Sequence, residues 1–100
     1  MSVDYRPARP EEMRRLIYND HVAFGHSTAE AEVERSLAWV AAFLRPEDTL
    51  VAVEDGAIVS QMGVLPLTIR WNGRDIACGG VTAVSTLPTH RRRGYLRALM

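Results

Sequence analysis

Arg91-Arg92-Arg93-Gly94-Tyr95-Leu96-Arg97-Ala98-Leu99-Met100 follows an apolar run of β character that ends near Thr86. Together the two stretches spell a strand, an arginine–glycine turn and the start of a helix. The first N–H groups of a helix lack internal acceptors and carry about half a positive charge between them. Gly94 has no Cβ, so an anion's oxygen can approach the main chain closely, and glycine adopts dihedrals that aim successive N–H groups at one point. Arginines add charge-assisted bonds. Strand, turn and helix start in this order suit a pyrophosphate. The bland alternative is a solvated arginine face with Gly94 as a plain helix boundary.

Upstream, the apolar period is that of strands. Leu50-Val51-Ala52-Val53 runs into Asp55-Gly56, a two-residue turn that demands positive φ, and Ile58 to Ile69 supplies the long antiparallel partner. Asn72-Gly73 has the same chemistry and leads into a third strand that stays extended through Val84. Gly63 and Pro66 predict a bulge or bend in the long strand, and Gly79-Gly80 a kink in the next.

Before these strands the period is helical. Val3 to Arg6 reads as a short first strand, and Pro10-Glu11-Glu12 as the first turn of a helix carrying Met13, Leu16, Ile17 and Phe24, closed by Gly25. Ser27 and Glu30 have capping-box spacing, and Val33, Leu37, Val40 and Leu44 give a second helix one apolar face as far as Leu44, before Arg45-Pro46 stops it. The order is strand, helix, helix, three strands, turn, helix start: a mixed α/β (α+β) chain.

Composition narrows the function. With 100 residues, 47% of them hydrophobic and 24% charged, the chain holds one modest core at most. Net charge is zero, against wholesale nucleic-acid or membrane binding, yet four arginines after Pro88 stand unopposed by any acid. Every basic side chain apart from histidine is arginine, so Schiff-base chemistry and a lysine base are excluded within this segment. Cys78 is the sole cysteine, which excludes an intramolecular disulfide and a cysteine-rich zinc site, and no cluster has metal-ligand spacing. With no signal-like N-terminus and no long apolar run, a cytoplasmic location is expected. Trp39 and Trp71 read as core or edge-strand packing and Cys78 as a small buried hydrophobe. Asp20, His21 and His26 read as surface residues, although Asp20 interrupts the apolar stripe.

Arg91-Arg92-Arg93-Gly94, preceded by Val84-Ser85-Thr86-Leu87-Pro88-Thr89-His90, resembles motif A of the GNAT acyltransferases, the Arg/Gln-x-x-Gly-x-Gly/Ala pattern that follows the fourth strand. Leu96 stands where most members carry Gly or Ala. The longer stretch Val84 to Met100, through its run Pro88 to Ala98, resembles the Eis-type aminoglycoside N-acetyltransferase branch, which shares that departure. The resemblance implies the N-terminal part of a GNAT N-acetyltransferase fold, with residues 1–100 forming one piece of a single domain truncated within its third helix. It implies acetyl-CoA as cosubstrate, without a metal, and an amine acceptor, an aminoglycoside-like polyamine or a peptide among the options, with homo-oligomerisation left open.

By position, Val84, Ser85 and Thr86 would face the pantetheine arm, with main-chain groups offered by Val84 and Thr86. Arg91, Arg92, Arg93, Gly94, Tyr95 and Leu96 would present N–H groups to the pyrophosphate. Tyr95 would either cover the adenine side or pack inward, and His90 would act as a base or, more simply, as a capping or solvated residue. In the Eis-like branch a downstream tyrosine is the general acid and the terminal carboxylate the base, so no catalytic residue is expected within residues 1–100, and this piece alone is expected to be inactive. Two other classes stand beside this reading: an α/β module docking nucleic acid or another anion, and a catalytically inactive GNAT-like regulatory domain.

Overall fold

The computed structural model describes residues 2–100. Its elements are β1 (Val3–Pro7), α1 (Met13–Phe24), α2 (Glu30–Val40), β2 (Thr49–Glu54), β3 (Ala57–Trp71), β4 (Arg74–Thr86) and α3 (Tyr95–Leu99). The strands form one antiparallel sheet in the order β1-β2-β3-β4. Both expected turns are present: Asp55 and Gly56 have φ of 51° and 84°, and Asn72 and Gly73 have 48° and 75°. Such left-handed pairs match the twist of the flanking strands, which is why these short connections close two hairpins.

Alternation along the strands gives the sheet two apolar faces. Val51 and Ile58 pack with Ala8, Met13 and Leu16 beneath α1 and α2, whereas Ala52 and Val59 pack with Tyr95 on the α3 side. Leu16 and Val51 are 2% and 0% exposed. Each such side chain contributes about 1.5–3 kcal/mol through removal from water. Beyond Gly63, β3 and β4 outrun β2 as a two-stranded arm on which Leu67, Ile69 and Ile76 are about half exposed.

Several local expectations change. Pro10–Glu12 is a 3-10 turn and the α-helix starts at Met13. Ser27 does not cap α2: its Oγ accepts the Ala29 N–H at 3.2 Å while its carbonyl accepts from His21 Nδ1 at 2.5 Å. The N-cap is Ala29, without a side-chain bond. α2 ends at Val40, and a looser turn carries Leu44 into the core.

Register is unbroken through Gly79 and Gly80. A Cβ at these glycines would lie 2.9 Å from Val64 Cγ1 or 2.6 Å from Leu67 Cδ1, in each case the end of a side chain that is not fully buried. The β3–β4 irregularity falls beside Gly63, where Gln61 pairs with Ser85 and Gly63 with Thr82, so the extra residue is on β4. Ala83, with φ of 50°, marks it. Trp39 and Trp71 are exposed at 70% and 65% and belong to no core. Trp39 instead packs edge-on against Phe43. Cys78 is only half-buried, on the arm.

Candidate acyl-CoA site

Past the bulge, Leu87 N–H donates to Val59 carbonyl at 2.9 Å, the last bond between β4's end and β3. In an antiparallel ladder this makes Ser60–Thr86 a non-bonded pair and turns the main-chain groups of Thr86 to the open side. A 3-10 turn at Pro88–His90 follows, then the arginine segment. Arg92 and Gly94 both have left-handed φ, 66° and 79°. No amide from Arg91 through Leu96 donates to a main-chain acceptor among the described residues.

Two hollows of about 270 Å³ and 260 Å³ abut here, sharing Thr86, Arg91 and Leu96 in their walls. The first is lined by Ala23 and Phe24 from the end of α1 and by Val84 and Ser85. The second is lined by His90, Arg92, Arg93, Gly94, Tyr95 and Arg97. Every residue singled out in the sequence for cofactor contact therefore lies along one track, from the end of α1 past the bulge to the turn.

Of its two expected positions Tyr95 takes the inward one, whereas Ser85 departs from the outward one. Tyr95 is 5% exposed and its hydroxyl donates to Glu54 Oε2 at 2.8 Å, so its ring packs inward. Burial and then the bond to this carboxylate push the phenol above its ordinary pKa. Ser85 turns inward and donates to Asp20 Oδ1 at 2.8 Å. His90 is engaged at both ring nitrogens: Nε2 lies 3.2 Å from Glu54 Oε2, and Nδ1 2.7 Å from Thr89 Oγ1. Arg93 Nη1 lies 3.6 Å from Glu54 Oε1. Glu54, 6% exposed, is thus shared by three groups of the turn, a role hidden in a sequence where it reads as one more acid before Asp55-Gly56.

Asp20 and His21 are likewise more than surface residues. Asp20 also accepts from Gln61 Nε2 at 3.1 Å, and desolvation raises its carboxyl above the usual range. It lines a separate cleft of about 210 Å³ between α1, α2 and the bulge, whose walls include Leu16, Trp39, Phe43 and Ala83. His21 bridges the Ser27 carbonyl and Ser36 Oγ, tying the end of α1 to α2. Among the described residues no group of three His, Cys, Asp or Glu side chains is placed to hold a metal, and no helix is long and apolar enough to cross a membrane.

Comparison with known proteins adds to this geometry. An uncharacterized N-acetyltransferase of Streptomyces avermitilis is 37% identical over 103 residues, which cover 100% of this chain and 24% of that protein. The chain thus spans about a quarter of the length of this curated relative. The crystal structure of a GNAT family acetyltransferase from Brucella melitensis in complex with acetyl-CoA superposes with a TM-score of 0.71 at 25% identity, over 98% of this chain and 63% of that one. Eis1 from Mycobacterium abscessus has the same fold, with a TM-score of 0.75 at 24% identity, over 98% of this chain and 23% of that one. A family profile described as an acetyltransferase (GNAT) domain matches residues 4–100, so with its meander, bulged fourth strand and arginine–glycine turn this chain belongs to the GNAT acetyltransferase family.

Proposed function

We propose that this chain is the N-terminal part of a GNAT domain that receives acetyl-CoA and passes its acetyl group to an amine, within a longer, Eis-like protein. The observation that carries the reading is the row of amides from Arg91 through Leu96, free of main-chain acceptors among the described residues and bordering an open hollow beside three arginines. The coenzyme's diphosphate would take these amides, and its pantetheine arm would lie along β4 beside Val84 and against the outward main-chain groups of Thr86. Ser85 would hold the strand from behind through Asp20. The Eis-like assignment rests on the Pro88–Ala98 run and the likeness to Eis1, and with it an aminoglycoside-like polyamine becomes the acceptor class.

In the reaction a neutral amine attacks the thioester carbonyl, the C–S bond breaks, and the amide and the free thiol of CoA leave. An amine with a lysine-like pKa near ~10.4 must first lose a proton, at a cost of roughly three pK units near neutrality. Holding amine and thioester together contributes up to roughly 7–11 kcal/mol at the well-oriented limit. The groups that take and return protons are assigned to residues outside 1–100, and Tyr95, occupied by Glu54, is not among them. A catalytically inactive relative would share the coenzyme track. Nucleic-acid docking is not favoured, because Glu54 sits under the turn and offsets the charge of Arg93.

Isothermal titration of CoA tests the proposal. Micromolar binding that is lost in Gly94→Pro is the expected result, since proline cannot adopt the φ of 79° found there. Equal affinity in the two proteins would refute it.

A further inference from the structure

Glu54 is the last residue of β2, and strand alternation points it to the α3 side of the sheet, the face that carries Ala52. An ionisable group so deeply enclosed is costly unless partnered. Its partners all come from one short stretch: His90 Nε2 at 3.2 Å, Arg93 Nη1 at 3.6 Å and the Tyr95 hydroxyl at 2.8 Å. That stretch holds the two left-handed residues Arg92 and Gly94, a conformation that surrounding contacts must enforce at a non-glycine position. No other acid pairs with Arg91, Arg92 or Arg93 among the described residues.

We infer that Glu54 is a positioning residue, holding the Arg91–Leu96 turn from behind in the shape that receives a diphosphate. This rests on the coenzyme reading proposed above and deepens it. Glu54 would not itself touch the coenzyme. Two opposing effects make the role decidable. As a negative charge near a phosphate site, Glu54 opposes an anionic ligand, so its neutralisation should tighten binding if Coulomb energy alone mattered. As the tether of the turn, its neutralisation should weaken binding.

The test compares the full chain with Glu54→Gln, Tyr95→Phe and the double variant, titrating CoA and, separately, pantetheine, which has the arm but no diphosphate. Glu54→Gln is expected to weaken CoA about tenfold and Tyr95→Phe about threefold, by loss of a charged and a single hydrogen bond respectively. The double variant should lose less than the product, because both changes break one tether. Pantetheine affinity should stay within about twofold, since its contacts lie on β4. Unchanged or tighter CoA binding in both single variants overturns the inference. So does an equal loss for pantetheine, which would mark general loosening of the fold. If the unsubstituted chain binds no CoA, the coenzyme reading falls and this inference with it. Binding by the unsubstituted chain without the variant pattern removes only the tether.

Discussion

Ser85 Oγ donates a 2.8 Å hydrogen bond to Asp20 Oδ1, joining residues 65 positions apart and fixing β4, just past its bulge, to α1. The same carboxylate oxygen accepts from Gln61, whose Nε2 also donates to the Leu16 carbonyl at 2.7 Å. A half-buried charge holds the wall between the α1–α2 cleft and the track along β4.

That charge has a calculable sign in stability. Burial raises the Asp20 pKa above its ordinary 3.8, so between the two values the native state binds more protons than the unfolded chain. Stability from this group therefore falls as pH rises from the ordinary value through the raised one, and stays lower above it. Asp20→Asn keeps an acceptor for Ser85 and Gln61 but removes the charge. Thermal melts should show the variant gaining on the natural chain as pH is raised from about 3 to about 7. A gain that shrinks over that range would contradict the desolvation account.

Glu12 behaves oppositely. Its oxygens accept two bonds from the Arg6 guanidinium, each 2.8 Å, and one from the Arg9 N–H, holding its pKa at about 2 instead of 4.5. The stabilisation is complete above 4.5 and is lost as pH falls toward about 2. Glu12→Gln should cost about 1 kcal/mol near neutral pH, discounted for the surface position, and almost nothing near pH 2. Urea melts at the two pH values measure the difference.

The glycines of β3 and β4 should differ in tolerance. A Cβ at Gly63 would lie 3.0 Å from Leu44 Cδ2 and 3.3 Å from Thr82 Cγ2, and Leu44 is enclosed. At Gly80 the nearest atom is the tip of Leu67, which is half exposed and free to turn away. Gly63→Ala should cost about 1–3 kcal/mol by overpacking and Gly80→Ala under about 0.5 kcal/mol, read from denaturation midpoints at unchanged slope.

Signals carried by neighbouring residues were legible in the sequence. Asp55-Gly56, Asn72-Gly73 and the Gly25 cap announced their own dihedrals, and the strand–turn–helix order of the arginine segment needed nothing beyond itself. What escaped was set by distant partners. Ser27 had the spacing of a cap, but its carbonyl was engaged by His21, and the chain at Ala29 entered α2 without it. The bulge fell at Ala83, a residue with no turn chemistry, because the pairing of Gln61 with Ser85 and of Gly63 with Thr82 dictates it. Asp20 looked like a surface acid until Ser85 supplied its donor, and nothing near Glu54 in the sequence pointed to Tyr95, 41 positions away.

The order of strands along the chain carries a kinetic consequence. β2, β3 and β4 are joined by two-residue turns, so their pairing closes short loops and proceeds locally. The Tyr95–Glu54 hydrogen bond, by contrast, joins residues 41 positions apart. The Arg91–Leu96 segment is therefore fastened by contacts distant in sequence, and a mutation there can leave the pairing of the meander intact.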